Sequence, residues 1–161
     1  MIIFEYLHHN KLIYRDLKPN NIILDHNKTV VLIDFDRMLK KSSIDPNNET
    51  TKNFDHYYLA PEIGEINDIS YEADIYSLGL IIYFIIFEKD PVYQTNDENS
   101  LKNLFSEFPE DYTNIKYICE KCTKHNPKSR PTISQLIIYF YNTFYMQISQ
   151  NLIPNESQKT T

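Results

Sequence analysis

The chain has 161 residues, the size of one domain, and its formal net charge of −6 with a pI near 5.3 argues against a nucleic-acid surface, which needs clustered Lys and Arg. Only Gly64 and Gly79 are glycine. They lie too far apart for a G-x-G-x-x-G or Walker A loop, so the chain holds no glycine-rich phosphate cradle of its own.

In chain order, Met1 to His9 is apolar and reads as the end of a helix with no N-cap ahead of it. Two short β-type runs follow, Asn21 to Leu24 and Thr29 to Asp34, joined by the turn-rich Asp25-His26-Asn27-Lys28, which predicts a hairpin. Leu39 to Phe54 is polar and reads as a long loop, and loops of that length are often functional. Ser70 is placed to cap an apolar helix from Tyr71 to about Phe87, apolar nearly all round and therefore buried in the middle of the domain. Asn99 or Ser100 is expected to cap a helix from Leu101 to Phe108, and another helix is expected from about Thr113 to Lys124. The last helix opens at Pro131 and Thr132, with Ile133, Leu136, Ile137, Phe140, Tyr141 and Phe144 along one side. The pattern is α+β, mostly α: a domain over residues 1–146 with one small β-hairpin, then a polar tail over 147–161 expected to be disordered.

The most apolar run, Ile75 to Phe87, is short for a membrane span and is expected to be a core helix. The N-terminus has no basic region or cleavage site of a signal peptide, so the expected location is intracellular, in the cytoplasm, and the sequons at Asn27, Asn48 and Asn155 carry no weight. Cys119, Cys122 and His125 form C-x-x-C-x-x-H, a spacing that suggests zinc, but the chain offers no second pair to complete four ligands. Ile115, Ile118, Cys119 and Cys122 share one helix face, which makes core packing the better reading of the two thiols.

The chemistry concentrates in Tyr14-Arg15-Asp16-Leu17-Lys18-Pro19-Asn20-Asn21. A carboxylate, an ammonium and a carboxamide share one short loop stiffened by Pro19. Asp34 follows at the end of the strand-like Val30-Val31-Leu32-Ile33. Asn21 and Asp34 suit a hard cation such as Mg²⁺, which takes oxygen ligands and usually arrives with phosphates. Asp16 and Lys18 suit an acid–base step and charge neutralisation at a transferred phosphoryl group.

These residues carry a family resemblance. The loop resembles the H-R-D-L-K-P-x-N catalytic loop of eukaryotic protein kinases, and Asp34-Phe35-Asp36 resembles D-F-G. Ala60-Pro61-Glu62 matches A-P-E, Asp74-Ile75-Tyr76-Ser77-Leu78-Gly79 matches D-x-[WY]-S-x-G, and Asn126 to Thr132 matches N-P-x-x-R-P-[ST]. The five motifs occur in family order across roughly residues 1–145. They resemble the larger, C-terminal lobe of a serine/threonine kinase with the N-lobe absent.

The resemblance implies a role for each matched residue. Asp16 would orient the substrate hydroxyl as base, and Lys18 would neutralise the γ-phosphate and mark a Ser/Thr substrate. Asn21 and Asp34 would hold Mg²⁺, and Ile23 would lie beneath the adenine of ATP. Arg15 would pair with a phosphate on the activation segment, with Ser42, Ser43, Thr50 and Thr51 as candidate sites. Glu62 and Arg130 would form a buried ion pair whose breakage costs about 3–5 kcal/mol. Asp74 would anchor the catalytic-loop backbone as scaffold. Three positions depart from the pattern: Tyr14 stands for the usual His, Asp36 for the D-F-G glycine, and Asp55 for a Thr ahead of Glu62. The G-x-G-x-x-G loop and V-A-I-K lysine that grip ATP are not in these residues, so an N-lobe would come from upstream sequence or another chain. The implied function is ATP-dependent phosphorylation of Ser/Thr in protein substrates. The alternative is a catalytically inactive kinase-like module that binds proteins as a scaffold.

Overall fold

The computed structural model describes residues 1–43, 57–64, 70–94 and 97–152. Helix α1, Ile2–His9, turns Phe4 and Leu7 inward and ends at Asn10. Strand β1, Leu12–Ile13, pairs antiparallel with β4, Leu39–Lys40. Between them lies the expected hairpin, β2 Ile22–Leu24 against β3 Val30–Leu32, with Ile23 opposite Val31. The Asp25 carboxylate accepts from the backbone N–H of Asn27 and of Thr29, both at 2.8 Å, and Lys28 takes φ 61°, so side-chain chemistry and one left-handed residue close the turn.

The hairpin is shorter than its sequence pattern. Asn21 belongs to a 3₁₀ turn, Pro19–Asn21, and Ile33 and Asp34 leave the ladder. The start of the expected Leu39–Phe54 loop is instead strand β4, because the pairing partner of Leu39 and Lys40 is remote β1 and no local periodicity marks it. The rest of that loop from residue 44 lies outside the described residues.

Helix α2, Tyr71–Phe87, runs through the middle of the molecule, with Ala73 to Ile81 buried without a break. Ser70 stands at its N-cap but its side chain makes no capping bond; Glu88, at φ 53°, closes the other end by donating its N–H to Phe84 O at 2.7 Å. Helix α3, Glu98–Phe105, starts earlier than expected. Its cap is Asp97, whose carboxylate accepts from Asn99 N at 2.9 Å, while the Ser100 hydroxyl is taken by Gln94 N. Helix α4, Thr113–Cys122, stops short of Lys124: its C-cap Thr123 leaves helical geometry at φ −99° and ψ 20°, with its hydroxyl and N–H both bonded to Cys119 O. Helix α5, Ile133–Leu152, opens on a reciprocal capping box: Thr132 N–H donates to Gln135 Oε1 at 2.9 Å and Gln135 N–H to Thr132 Oγ1 at 3.3 Å. It runs past residue 146, where the polar tail was expected to begin; residues 153–161 lie outside the described residues.

Helices α2 and α4 pack very closely. A Cβ added to Gly79 would stand 2.6 Å from Cys122 Cβ, so only glycine fits there without moving a helix. Cys119 and Cys122 are fully buried in this seam, and burial pushes both thiols up, Cys122 to about 12. His125 lies exposed beyond the helix end, so the C-x-x-C belongs to the core. The architecture is mostly helical, as the sequence pattern implied, but among the described residues it has two small two-stranded sheets where the pattern implied one hairpin.

Candidate active site

The loop between β1 and β2 is held from below by α2. The Asp74 carboxylate, buried on that helix, accepts from Tyr14 N–H at 3.0 Å and Arg15 N–H at 2.8 Å. Its Oδ2 also lies 3.0 Å from His8 Nε2 on α1, so one carboxylate joins two helices to the loop. Arg15 takes φ 71° at the point of attachment, a conformation L-residues adopt at a cost and keep only where the surroundings fix it. Asp74 therefore serves as a structural anchor. His8 was not legible as its partner, since it lies on a separate helix and belongs to none of the motifs.

Beyond this anchor the loop gathers its polar groups on Asp16, whose side chain is 2% exposed. Lys18 Nζ donates to both carboxylate oxygens, at 2.9 and 3.1 Å. Asn21 Nδ2 donates to Asp16 Oδ2 at 3.0 Å and to Asp16 O at 2.8 Å. Arg37 Nη1 approaches Oδ1 at 3.5 Å. Burial pushes the Asp16 pKa up, but the Lys18 and Asn21 hydrogen bonds and the Lys18 and Arg37 charges outweigh it and hold the carboxyl below its ordinary value. Arg37 was missed by sequence reasoning; its place directly after Asp34-Phe35-Asp36 was the available signal.

Asp34 enters from the end of β3. Ile33 N–H donates to Asn21 O at 3.0 Å, which fastens the strand end to the loop. The Tyr14 hydroxyl donates to Ile33 O from the other side. Tyr14 is fully buried, and burial pushes its hydroxyl up to about 12, so it stays a neutral donor. Its ring lies between Phe4 and Phe35 in two edge-on contacts, at 6.0 and 5.7 Å between centroids. Asp34 is exposed and takes φ 61°, whereas Asp36, at the glycine position of D-F-G, is not among the left-handed residues. The strain of this triplet thus falls on Asp34. Asn21 turns its Nδ2 to Asp16, and its Oδ1 and the Asp34 carboxylate are oxygen donors of the type Mg²⁺ takes.

Ile23, on β2, is 46% exposed on the same end of the molecule, with Leu24, Val30, Val31 and Phe35 also exposed around it. Arg15 is buried and donates to Arg37 O at 3.5 Å, and burial lowers its pKa. Ser42 is exposed on the 3₁₀ turn Lys41–Ser43, which also contains Ser43. Thr50, Thr51 and Asp55 lie outside the described residues.

At the far end of the segment, Glu62 and Arg130 form a buried bidentate pair, with Nη1–Oε1 at 2.5 Å and Nη2–Oε2 at 2.8 Å. The Arg130 fork also donates to the carbonyls of Glu72, Lys124 and His125, and its plane lies 4.8 Å from the Tyr76 ring centre. A fully desolvated guanidinium is tolerable only when its donors are matched in this way. Ser77 on α2 ties the preceding stretch down by donating to Tyr58 O at 2.7 Å.

The protein kinase domain family model matches residues 2–141. Over 155 residues the chain is 30% identical to the RGS domain-containing serine/threonine-protein kinase A of Dictyostelium discoideum, covering 91% of this chain and 13% of that protein. It is 28% identical over 163 residues to an Aurora kinase of Debaryomyces hansenii, covering 97% of this chain and 38% of that protein. It is 34% identical over 104 residues to the cAMP-dependent protein kinase catalytic subunit of Schizosaccharomyces pombe, covering 65% of this chain and 20% of that protein. The chain spans well under half the length of each of these relatives.

Proposed function

This chain belongs to the protein kinase family, and on that premise we propose that it is the C-terminal lobe of a serine/threonine kinase, the part that transfers the γ-phosphoryl group of ATP to Ser and Thr hydroxyls of proteins. The observation that carries the reading is the grouping of Lys18, Asn21 and Arg37 on buried Asp16, with Asp34 fastened alongside through Ile33. An ionised Asp16 accepts and orients a substrate hydroxyl. Lys18, bonded here to Asp16, would turn to neutralise a transferred phosphoryl group. Asn21 Oδ1 and the Asp34 carboxylate would hold Mg²⁺, which supplies charge neutralisation at the phosphates when bound. Ile23 offers an apolar floor for adenine. Arg15 would receive a phosphate carried by Ser42, Ser43, Thr50 or Thr51. An N-lobe, from upstream sequence or another chain, would complete the ATP site.

The test is transfer of the γ-phosphate of ATP to a pool of Ser/Thr peptides by the longest transcript product. Asp16→Asn is expected to lower the rate by at least about 10²-fold, the lower range for a positioned acid–base group. Equal rates for the two proteins would overturn catalysis. The exposed apolar hairpin also favours a second reading, a non-catalytic module that binds proteins at that surface. That reading expects partner binding unchanged by Asp16→Asn and Asp34→Asn, with no phosphate transfer from either form.

A further inference from the structure

A cavity of about 260 Å³ lies between Pro61, α2, α3 and the end of α4, and none of its lining residues belongs to the candidate active site. Its floor is apolar: Tyr76 of α2 with Leu101 and Phe105 of α3. The polar atoms at the floor are already committed, since the Tyr76 hydroxyl bonds Tyr93 and Thr123 Oγ1 bonds Cys119 O. The rim is charged and exposed. Lys102 stands on one side, with Lys124 and His125 on the other, against a single carboxylate, Glu120. Neither lysine forms an ion pair with a described residue.

The rim is also rigid. Arg130 holds Lys124 O at 2.7 Å and His125 O at 3.1 Å while it grips Glu62, so the backbone of Lys124 and His125 is locked to the core. Two lysines against one glutamate leave this rim net positive over an apolar floor, in a chain of net charge −6. The cavity lies below the roughly 300–1,000 Å³ of sites for drug-sized ligands, and it suits one large side chain better than a cofactor.

We propose that this cavity docks a protein partner through a short segment with one large apolar or aromatic anchor flanked by acidic residues. The anchor fills the space over Leu101, Phe105 and Tyr76, and the flanking carboxylates meet Lys102 and Lys124. The site is independent of Asp16 and Asp34, so its failure and the failure of the catalytic reading are separate results.

The test is selection of a random peptide display library on the full chain, followed by affinity measurement for the enriched peptides. The expected result is enrichment of a Phe, Tyr or Leu with Asp or Glu at adjoining positions. Binding should fall at least tenfold in Lys102→Glu/Lys124→Glu and weaken with salt. Both lysines are exposed, and circular dichroism matching the parent checks the fold. Asp16→Asn should leave the affinity unchanged. Failure to enrich any peptide, enrichment of basic peptides, or affinity indifferent to the lysine pair would overturn the proposal. So would benzoate or phenyl phosphate binding in the cavity as tightly as the peptides, which would make it a small-anion site.

Discussion

Asp16 is a buried carboxylate surrounded by donors, and its protonation follows from them. Lys18 and Asn21 bond the charged form, so its folded pKa lies below the ordinary value. The ionised group therefore adds stability at every pH above its unfolded value, near 3.9, and loses that contribution as pH falls through the lower folded value. A carboxyl-carbon NMR titration should place the Asp16 midpoint below 3.9, and Lys18→Met should move it up. A midpoint above 3.9 in the parent chain would contradict the geometry. Asp74 supports a second residue-scale prediction. Its two oxygens receive two backbone N–H groups, and asparagine would turn an NH₂ toward one of them. Asp74→Asn should cost about 1–3 kcal/mol in urea unfolding, the penalty for a buried donor left without a partner. An unchanged midpoint would mean the loop is held by other contacts. The chemistry of both residues was legible in the sequence because it lies in short motifs. Their partners His8 and Arg37 were less so, because hydrogen bonds across the fold leave no spacing signature.

Among the elements, the seam between α2 and α4 is the tightest. Gly79 lets the helices approach until Cys122 Cβ fills the place of a Gly79 side chain. The neighbour is a Cβ fixed to a helix backbone, so Gly79→Ala must displace α4. Overpacking of this kind costs about 1–3 kcal/mol, to be read as a lower denaturant midpoint with an unchanged slope. An alanine variant as stable as the parent would show that α4 shifts freely. Long periodic helices such as α2 and α5 were readable because α2 is apolar nearly all round and α5 sets Ile133, Leu136, Ile137 and Phe140 against the core, although Tyr141, expected on the same side, is exposed. The start of α3 slipped because Asp97, Asn99 and Ser100 are all competent caps by type, and only the positions of Asn99 N and Gln94 N decide among them. Strands β1 and β4 were invisible because a two-residue strand has no period.

On the scale of the whole molecule, one end is apolar and uncovered. Leu24 and Val30 are 66% and 51% exposed at the hairpin, next to Ile23, Val31 and Phe35. Such a patch drives association or marks an interface. Leu24→Lys/Val30→Lys should reduce binding of the dye ANS and the concentration-dependent light scattering of the chain, with stability changed by no more than about 0.5 kcal/mol, as for surface substitutions. Undiminished dye binding would place the apolar surface elsewhere. Glu62 and Arg130 are brought together from remote parts of the chain and share one hydrogen-bond network with the carbonyls at the end of α4. Breaking that pair would therefore loosen the rim of the α3–α4 cavity as well as the segment that carries Glu62.

The sequence by itself determined the family motifs, the mostly helical pattern and the identity of the polar residues gathered between Tyr14 and Asn21, because each is written in short spacings or a helical period. Tertiary structure alone decided that Asp74 joins His8 to the loop, that Asp34 bears the left-handed φ in place of Asp36, and that the cysteines fill the seam at Gly79. It also decided that Lys102 and Lys124 line one cavity. Each of these depends on two segments distant in sequence meeting in space, and local chemistry carries no record of such a meeting until the chain has packed.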